Sequence, residues 1–322
     1  AQNSGLITSH KGIAFPGKES KLPALTEKDK KDLHGGIDVG IDAVALSFVQ
    51  SKQDIDDIKA EIASRDTWIP VVAKLERTAA VENLDSILEA ADVIMVARGD
   101  LGVEASLETL PVVQKKIIRA CRHAQKACIV ATQMLLSMVK NPRPTRAETT
   151  DVANAIMDGA DCVMLSEETA IGQYPVETVK FIQGIAENAE EYYLERAQGP
   201  FAPKKGSGPL KHICYGASLM AASMNSKAII SHSSSGATAR LMSSRRPEHP
   251  IYGLTRRPEI VRTLNFYWGV KPRLLESEEP SHVRRVEKFI QESTEFCAGD
   301  NVVITARENS PGQDEMVTNL IK

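Results

Sequence analysis

Between about residues 40 and 170 the chain repeats one pattern, and that pattern narrows the possible folds more than any other feature. A short, β-branched, apolar run is followed by polar residues and then by an amphipathic, helix-like stretch. The runs are residues 43–48 (AVALSF), 69–75 (IPVVAKL), 93–97 (VIMVA), 127–132 (ACIVAT) and 162–166 (CVMLS). Helical spacing follows at 51–63, 81–90, 110–124 and 145–158. Apolar strands alternating with helices predict a parallel sheet covered on both faces. A closed β/α barrel and an open doubly wound sheet both satisfy that pattern.

The polar residues of this half stand at the C-terminal ends of the runs. Ser47 and Phe48 end the first, and Lys74 and Glu76 the second. Arg98, Gly99 and Asp100 follow the third, Thr132 ends the fourth, and Ser166 with Glu168 closes the fifth. In β/α barrels the active site is assembled at that end from several strands. Lys74 and Glu76 are two apart, so a strand puts both on one face. They offer one cation and one carboxylate to a shared centre, or simply form an ion pair. Asp100 adds a second carboxylate, or caps a helix. Two carboxylates completed by water and substrate oxygens suit Mg²⁺.

Residues 176–196 read as one long helix. The Pro-, Gly- and Lys-rich stretch 198–211 (QGPFAPKKGSGPLK) then reads as a linker. After it the β/α rhythm resumes on a smaller scale, with runs at 228–232, 250–254, 271–275 and 301–305 and an expected antiparallel closing strand at 316–321. This predicts a second α/β domain. Ser233, Ser234, Ser235, Gly236 and Thr238 (SSSGAT) follow a strand and open a helix, an arrangement that presents amides and hydroxyls to an anion or is an ordinary capped turn. Arg240, Arg245 and Arg246 on the expected helix would add positive charge or face solvent.

The net charge of −3 gives no global attraction to nucleic acid or membrane, so any anionic ligand needs a local site. No apolar run reaches the ~20 residues of a membrane span. Five cysteines, none in a C-x-x-C pair, read as buried free thiols of a reducing cytosol. The first residue is not Met, which reads as a fragment or a processed product.

The segments VVAKLERTAAVENLDSILEAADVIMVARGDLGVE, QKKIIRACRHAQKACIVATQMLLSM and NPRPTRAETTDVANAIMDGADCVMLSEETAIGQYPVETV resemble, in order, the signature segments of the pyruvate kinase family. The likeness runs from about Lys11 to Glu195. It implies an α/β fold made of the later strands of a (β/α)8 TIM-type barrel, followed by a smaller three-layer α/β C-terminal domain. The implied divisions are the end of an inserted β domain at 1–17, the barrel at 18–197, the linker at 198–211 and the C-terminal domain at 212–322. The implied activity is phosphoryl transfer from phosphoenolpyruvate to ADP, giving pyruvate and ATP at the last step of glycolysis, in the cytoplasm, by a homotetramer.

By the same resemblance Lys74 neutralises the phosphoryl group in flight. Glu76 and Asp100 hold Mg²⁺ or Mn²⁺, and Ala97, Arg98 and Gly99 frame the metal and the substrate carboxylate. Thr132 meets the enolate, Ser166 and Glu168 serve proton supply, and Ser47 and Phe48 flank substrate and K⁺. Ser233–Thr238 holds a phosphate of an effector. Other readings are an aldolase or lyase of the related enolate-forming barrels, or a non-catalytic regulatory fragment.

The sequence departs from the family pattern at Glu167, where a small residue is usual and an added carboxylate would disturb the proton relay. Leu136 stands in place of a common glutamate. The last loop, residues 310–317 (SPGQDEMV), lacks the glycine spacing of sugar-bisphosphate sites. Five strands stand where a closed barrel needs eight. The first strands, with the main K⁺ ligands, are expected in a preceding segment, so this stretch alone is expected to fall short of a competent enzyme.

Overall fold

A computed structural model describes residues 24–196, 199–277, 279–310 and 313–321, with side chains through Thr305. The expected end of an inserted β domain at 1–17 lies outside the described residues. In chain order the first half contains α1 (Glu27–Asp38), β1 (Val44–Leu46), α2 (Lys52–Ala63), β2 (Val71–Leu75), α3 (Thr78–Glu82), α4 (Leu84–Ala90) and β3 (Val93–Ala97). It continues with α5 (Arg98–Glu104), α6 (Leu110–Ala124), β4 (Ala127–Ala131), a 3-10 turn (Leu136–Val139), α7 (Arg146–Met157), β5 (Cys162–Met164), α8 (Glu167–Ala170) and α9 (Pro175–Arg196). The second half contains α10 (Pro209–Ser223), β6 (Ala228–His232), α11 (Ala237–Ser243), β7 (Ile251–Thr255), α12 (Pro258–Leu264), β8 (Val270–Leu274), α13 (His282–Glu292), β9 (Val302–Ser310) and β10 (Gln313–Ile321).

The first sheet runs β1-β2-β3-β4-β5, every pair parallel. Unbroken sequential order is that of a barrel wall, whereas a doubly wound sheet reverses at a switch point. It therefore settles the choice the periodicity left open. Alternation divides each strand between two cores. Val71, Ala73, Leu75, Ile94, Val96, Cys128 and Val130 face a core shared with α2, α4 and α6. Val72, Val93, Met95, Ala127, Ile129 and Ala131 face the other way and join a core with α10, α11 and α12. β3 and β4 are buried along their whole length, as a sheet covered on both faces requires. Each fully buried isoleucine in this packing, such as Ile94 or Ile117, contributes about 1.5–3 kcal/mol.

The second sheet runs β10-β9-β6-β7-β8, parallel except for the β9–β10 hairpin, so the expected closing strand is antiparallel. Helices α10, α11 and α12 cover one face, and α13 covers the other through Val286 and Phe289. The result is the expected three-layer arrangement. Its strand order reverses at β6.

Three expectations need adjustment. α10 begins at Pro209, so the last residues of the expected linker are helical; proline is well placed in a helix's first turn. The stretch 310–317 is largely strand rather than loop, since Ser310 ends β9 and Gln313 begins β10. α1 went unanticipated, although Thr26-x-x-Asp29 is a capping box: Asp29 accepts the Thr26 amide at 2.9 Å. No described helix is long and apolar enough to cross a membrane.

Candidate active site

The candidate catalytic residues gather at the C-terminal ends of β1 to β5. Lys74 sits on β2 and Glu76 just beyond it, on the face expected from a period of two. Lys74 Nζ lies 2.6 Å from Glu76 Oε1 and donates to Ser47 Oγ at 2.8 Å. The other carboxylate oxygen, Oε2, accepts the Phe48 amide at 2.6 Å. Glu76 is only 2% exposed. A buried carboxylate held by one cation and one amide fixes the strand end, so the two side chains do form an ion pair, one of the two expected arrangements. Phe48 has φ 58°, and Arg77 lies over its ring at 5.3 Å.

The end of β4 is strained. Thr132 and Gln133 have φ 77° and 56°. For a β-branched residue that is a true outlier, costing about 1–3 kcal/mol, and it persists only where the surroundings impose it. Arg98 imposes it. Its guanidinium donates to Ala131 O at 3.2 Å and Thr132 O at 2.7 Å, and pairs with Asp151 Oδ2 at 2.6 Å. Gly99 completes the fit, because a Cβ there would meet Thr132 Cγ2 at 2.8 Å. Arg98, expected to bind substrate, has its donors turned into the protein.

Asp100 does not cap a helix. The N-cap of α5 is Ala97, and Asp100 is the third helical residue, exposed and favourably placed in the first turn. Among the described residues Asp100 makes no hydrogen bond or ion pair. No three His, Cys, Asp or Glu residues converge as a metal cluster among the described residues. An ion at Glu76 and Asp100 would take its other donors from water and substrate, a set that fits Mg²⁺.

Two residues beyond β5, Ser166 is the N-cap of α8. Glu168 is 1% exposed; its Oε2 accepts the Ser166 amide at 2.8 Å and its Oε1 the Leu135 amide at 3.1 Å. It ties the ends of β4 and β5 together. Glu167 points away and is exposed, so it does not crowd this pair. Leu136 opens the 3-10 turn. Glu148 is a holding residue that sequence reasoning missed. It accepts Ser137 N at 2.7 Å, Ser137 Oγ at 2.5 Å and Thr145 N at 2.8 Å. Its signal was the capping box Thr145-x-x-Glu148. Arg143, ahead of α7, and Arg146, its first residue, are exposed.

In the second half, Ser233 to Thr238 leave β6 at the strand-order reversal, where α/β sheets commonly bind ligands. A cavity of about 450 Å³ is lined there by Ser233, Ser234, Ser235, Thr238, His232 and His282. Burial, reinforced by neighbouring His282, Arg285 and Arg256, pushes His232 down to about 4. Thr238 is buried and Ser234 exposed. Arg245 and Arg246 lie beyond the end of α11 and are buried, not on its surface. Arg246 pairs with Asp161 at 2.9 Å, donates to Gly159 O at 2.6 Å and lies 5.1 Å from the Trp268 ring centre. Arg245 donates to Phe201 O at 3.0 Å.

A barrel-type sheet with charged groups at its strand ends, joined to a three-layer α/β domain, defines a class of two-part β/α protein. The family model described as pyruvate kinase, barrel domain, matches residues 1–179, and that described as pyruvate kinase, alpha/beta domain, matches residues 211–322. The chain belongs to the pyruvate kinase family. It is 45% identical over 305 residues to pyruvate kinase 2 of Synechocystis sp., covering 94% of this chain and 51% of that protein. It is 40% identical over 329 residues to pyruvate kinase of Geobacillus stearothermophilus, covering 99% and 55%. Against pyruvate kinase of Mycobacterium tuberculosis it is 39% identical over 319 residues, covering 98% and 66%. The chain thus spans about half to two thirds of the curated relatives it matches.

Proposed function

We propose that the protein transfers the phosphoryl group of phosphoenolpyruvate to ADP, giving pyruvate and ATP, as a cytoplasmic enzyme of glycolysis. The observation that carries this reading is the Ser47–Lys74–Glu76 cluster, set at the same sheet end as the strained Thr132. Phosphoryl transfer runs on positioning and charge stabilisation. Lys74 holds positive charge toward the transferring oxygens once substrate draws it from Glu76. Glu76 and Asp100 hold Mg²⁺ or Mn²⁺, which when bound supplies positive charge to substrate oxygens. Arg98 and Gly99 position Thr132, whose hydroxyl faces the enolate. Ser166 lies on the proton route to carbon, with Glu168 positioning it rather than carrying the proton. Ser47 and Phe48 border the substrate and a K⁺ ion.

The test is pyruvate formation from phosphoenolpyruvate and ADP with Mg²⁺ and K⁺, measured by coupled oxidation of NADH in the full-length gene product. Turnover that survives Lys74→Met unchanged sinks the reading. Pyruvate released from an aldol substrate instead would favour a lyase.

We also infer a homotetramer, supported by the segment 141–148, which carries two prolines and the exposed Arg143 and Arg146 and leads into α7; light scattering that gives a monomer rejects it. The cavity at the β6 switch point favours a second reading, in which Ser233–Thr238 binds a phosphorylated effector. Ser234→Asp places a carboxylate at the exposed side of that cavity. It should abolish activation while keeping basal rate, and equal activation of both proteins removes the site.

A further inference from the structure

The positive charge expected beside the serine loop faces a different cavity. On the opposite side of Ser235, a space of about 380 Å³ lies between the two halves of the molecule. Lys126, Asp92 and Trp68 reach it from the N-terminal approaches to β4, β3 and β2. Arg240 of α11, Arg257 at the N-cap of α12, and Tyr267 close it from the second half. It sits at the end of the first sheet opposite Lys74 and Thr132.

Its charges do not balance. Among the described residues Lys126 forms no ion pair; its Nζ donates to Ala91 O at 2.7 Å. Burial, opposed by Asp92, holds its pKa below the usual lysine range. Arg240 donates to Ser235 O at 2.8 Å and likewise forms no ion pair among the described residues. Arg257 pairs with Glu259 at 2.6 Å. The lining carboxylate, Asp92, already receives the Val71 amide at 3.0 Å and the Lys59 ammonium at 2.9 Å. Lys126 and Arg240, without ion pairs among the described residues, therefore meet one lining carboxylate that Lys59 has already claimed, while the charge of Arg257 is shared with Glu259. Desolvated, uncompensated positive charge is costly and favours an anion. Ser235 adds a hydroxyl, and Trp68, 38% exposed, with Tyr267 adds aromatic wall for the remainder of a ligand.

We propose that this cavity between the two halves binds a small phosphate-bearing metabolite, with Lys126, Arg240 and Arg257 around the phosphate and Trp68 beside the organic part. The volume is within the range of small-molecule sites. Such a ligand clamps both halves at once. β4 runs from beside Lys126 to Thr132, and β2 from near Trp68 to Lys74, spans of six residues or about 20 Å. Occupancy is thereby linked through rigid strands to the candidate active site. The binding proposal stands on this cavity alone and does not depend on the catalytic reading.

The test is calorimetric titration of the folded 322-residue chain with adenosine monophosphate, adenosine and inorganic phosphate. Saturable binding of the monophosphate, at least tenfold tighter than of adenosine, is expected, with inorganic phosphate weaker than the monophosphate. Arg257→Met, an exposed position, should weaken the monophosphate tenfold or more, and Lys126→Met likewise with circular dichroism unchanged. Ser234→Asp, which faces the other cavity, should leave it within threefold. If Lys126→Met does not fold, Arg257→Met decides. No saturable binding of the monophosphate, equal binding of monophosphate and adenosine, unchanged binding in Arg257→Met, or loss of binding in Ser234→Asp each overturns the proposal. Inorganic phosphate binding as tightly as the monophosphate overturns the metabolite assignment.

Discussion

Lys74 Nζ stands 2.6 Å from Glu76 Oε1, and the pair is closed by Ser47 on one side and the Phe48 amide on the other. The cation proposed for phosphoryl transfer and a carboxylate proposed for the metal neutralise each other before substrate arrives. Lys74→Met should lower pyruvate formation by ~10²–10³ or more, since it removes charge from the transferring group. It also leaves Glu76 buried without its cation. Lys74 keeps a quarter of its side chain exposed, so the stability loss should fall below the ~3–5 kcal/mol of fully buried pairs. Coupled assay and urea unfolding on one preparation separate the two effects.

Glu76→Gln and Asp100→Asn should each weaken Mn²⁺ binding, by roughly tenfold or more, because even outer-shell partners of metals are worth 10–100-fold. Paramagnetic resonance titration of free Mn²⁺ reads this directly. Asp100 is exposed and unpaired among the described residues, so its variant should keep its melting temperature. Unaltered titration in both variants removes the metal site.

The side chains of Arg246 and Asp161 are both largely covered, and Asp161 also accepts the Cys128 and Trp268 amides at 2.9 and 3.1 Å. Arg246→Met strands that carboxylate between the two halves. A loss of about 3–5 kcal/mol is expected. Scanning calorimetry should show a lowered transition that splits in two as the halves uncouple. A single unshifted transition contradicts this role.

Burial pushes the Glu148 carboxyl up, but the hydrogen bonds from Ser137 and Thr145 outweigh it and hold the group below its ordinary 4.5. A depressed carboxylate pKa stabilises the fold fully above the unfolded value. That contribution is lost as pH falls from about 4.5 through the lower folded value. Glu148→Gln should therefore lose stability at pH 7 and show a shallower acid limb. Melting curves from pH 7 to 3 check it, and parallel curves for both proteins refute it.

Cys297 is the exposed thiol among the described residues, against the expectation of buried thiols throughout. Burial raises Cys162 and Cys214 to about 12, and Cys121 and Cys128 are buried. Thiolates are the reactive form, so a disulfide reagent should rapidly label one cysteine in the native protein and all five after unfolding. Rapid labelling of two or more in the native state contradicts it.

The sequence by itself determined the order and kind of most elements. β3 and α6 lie where periodicity put them, because apolar spacing and caps act within one turn or one strand. It also determined that Lys74 and Glu76 share a face, since a period of two is local geometry. Tertiary structure decided what those groups touch. Arg98 reads in the sequence as a cation at a strand end, yet its donors go to β4 and Asp151, contacts 33 to 53 residues away. Arg246 reads as helix surface, yet it is buried against Asp161, 85 residues distant. Side-chain partners of that separation depend on how two sheets pack, which no local pattern encodes. The cationic cavity around Lys126 and Arg240 exists for the same reason: its walls belong to different halves of the chain and meet only when both are folded.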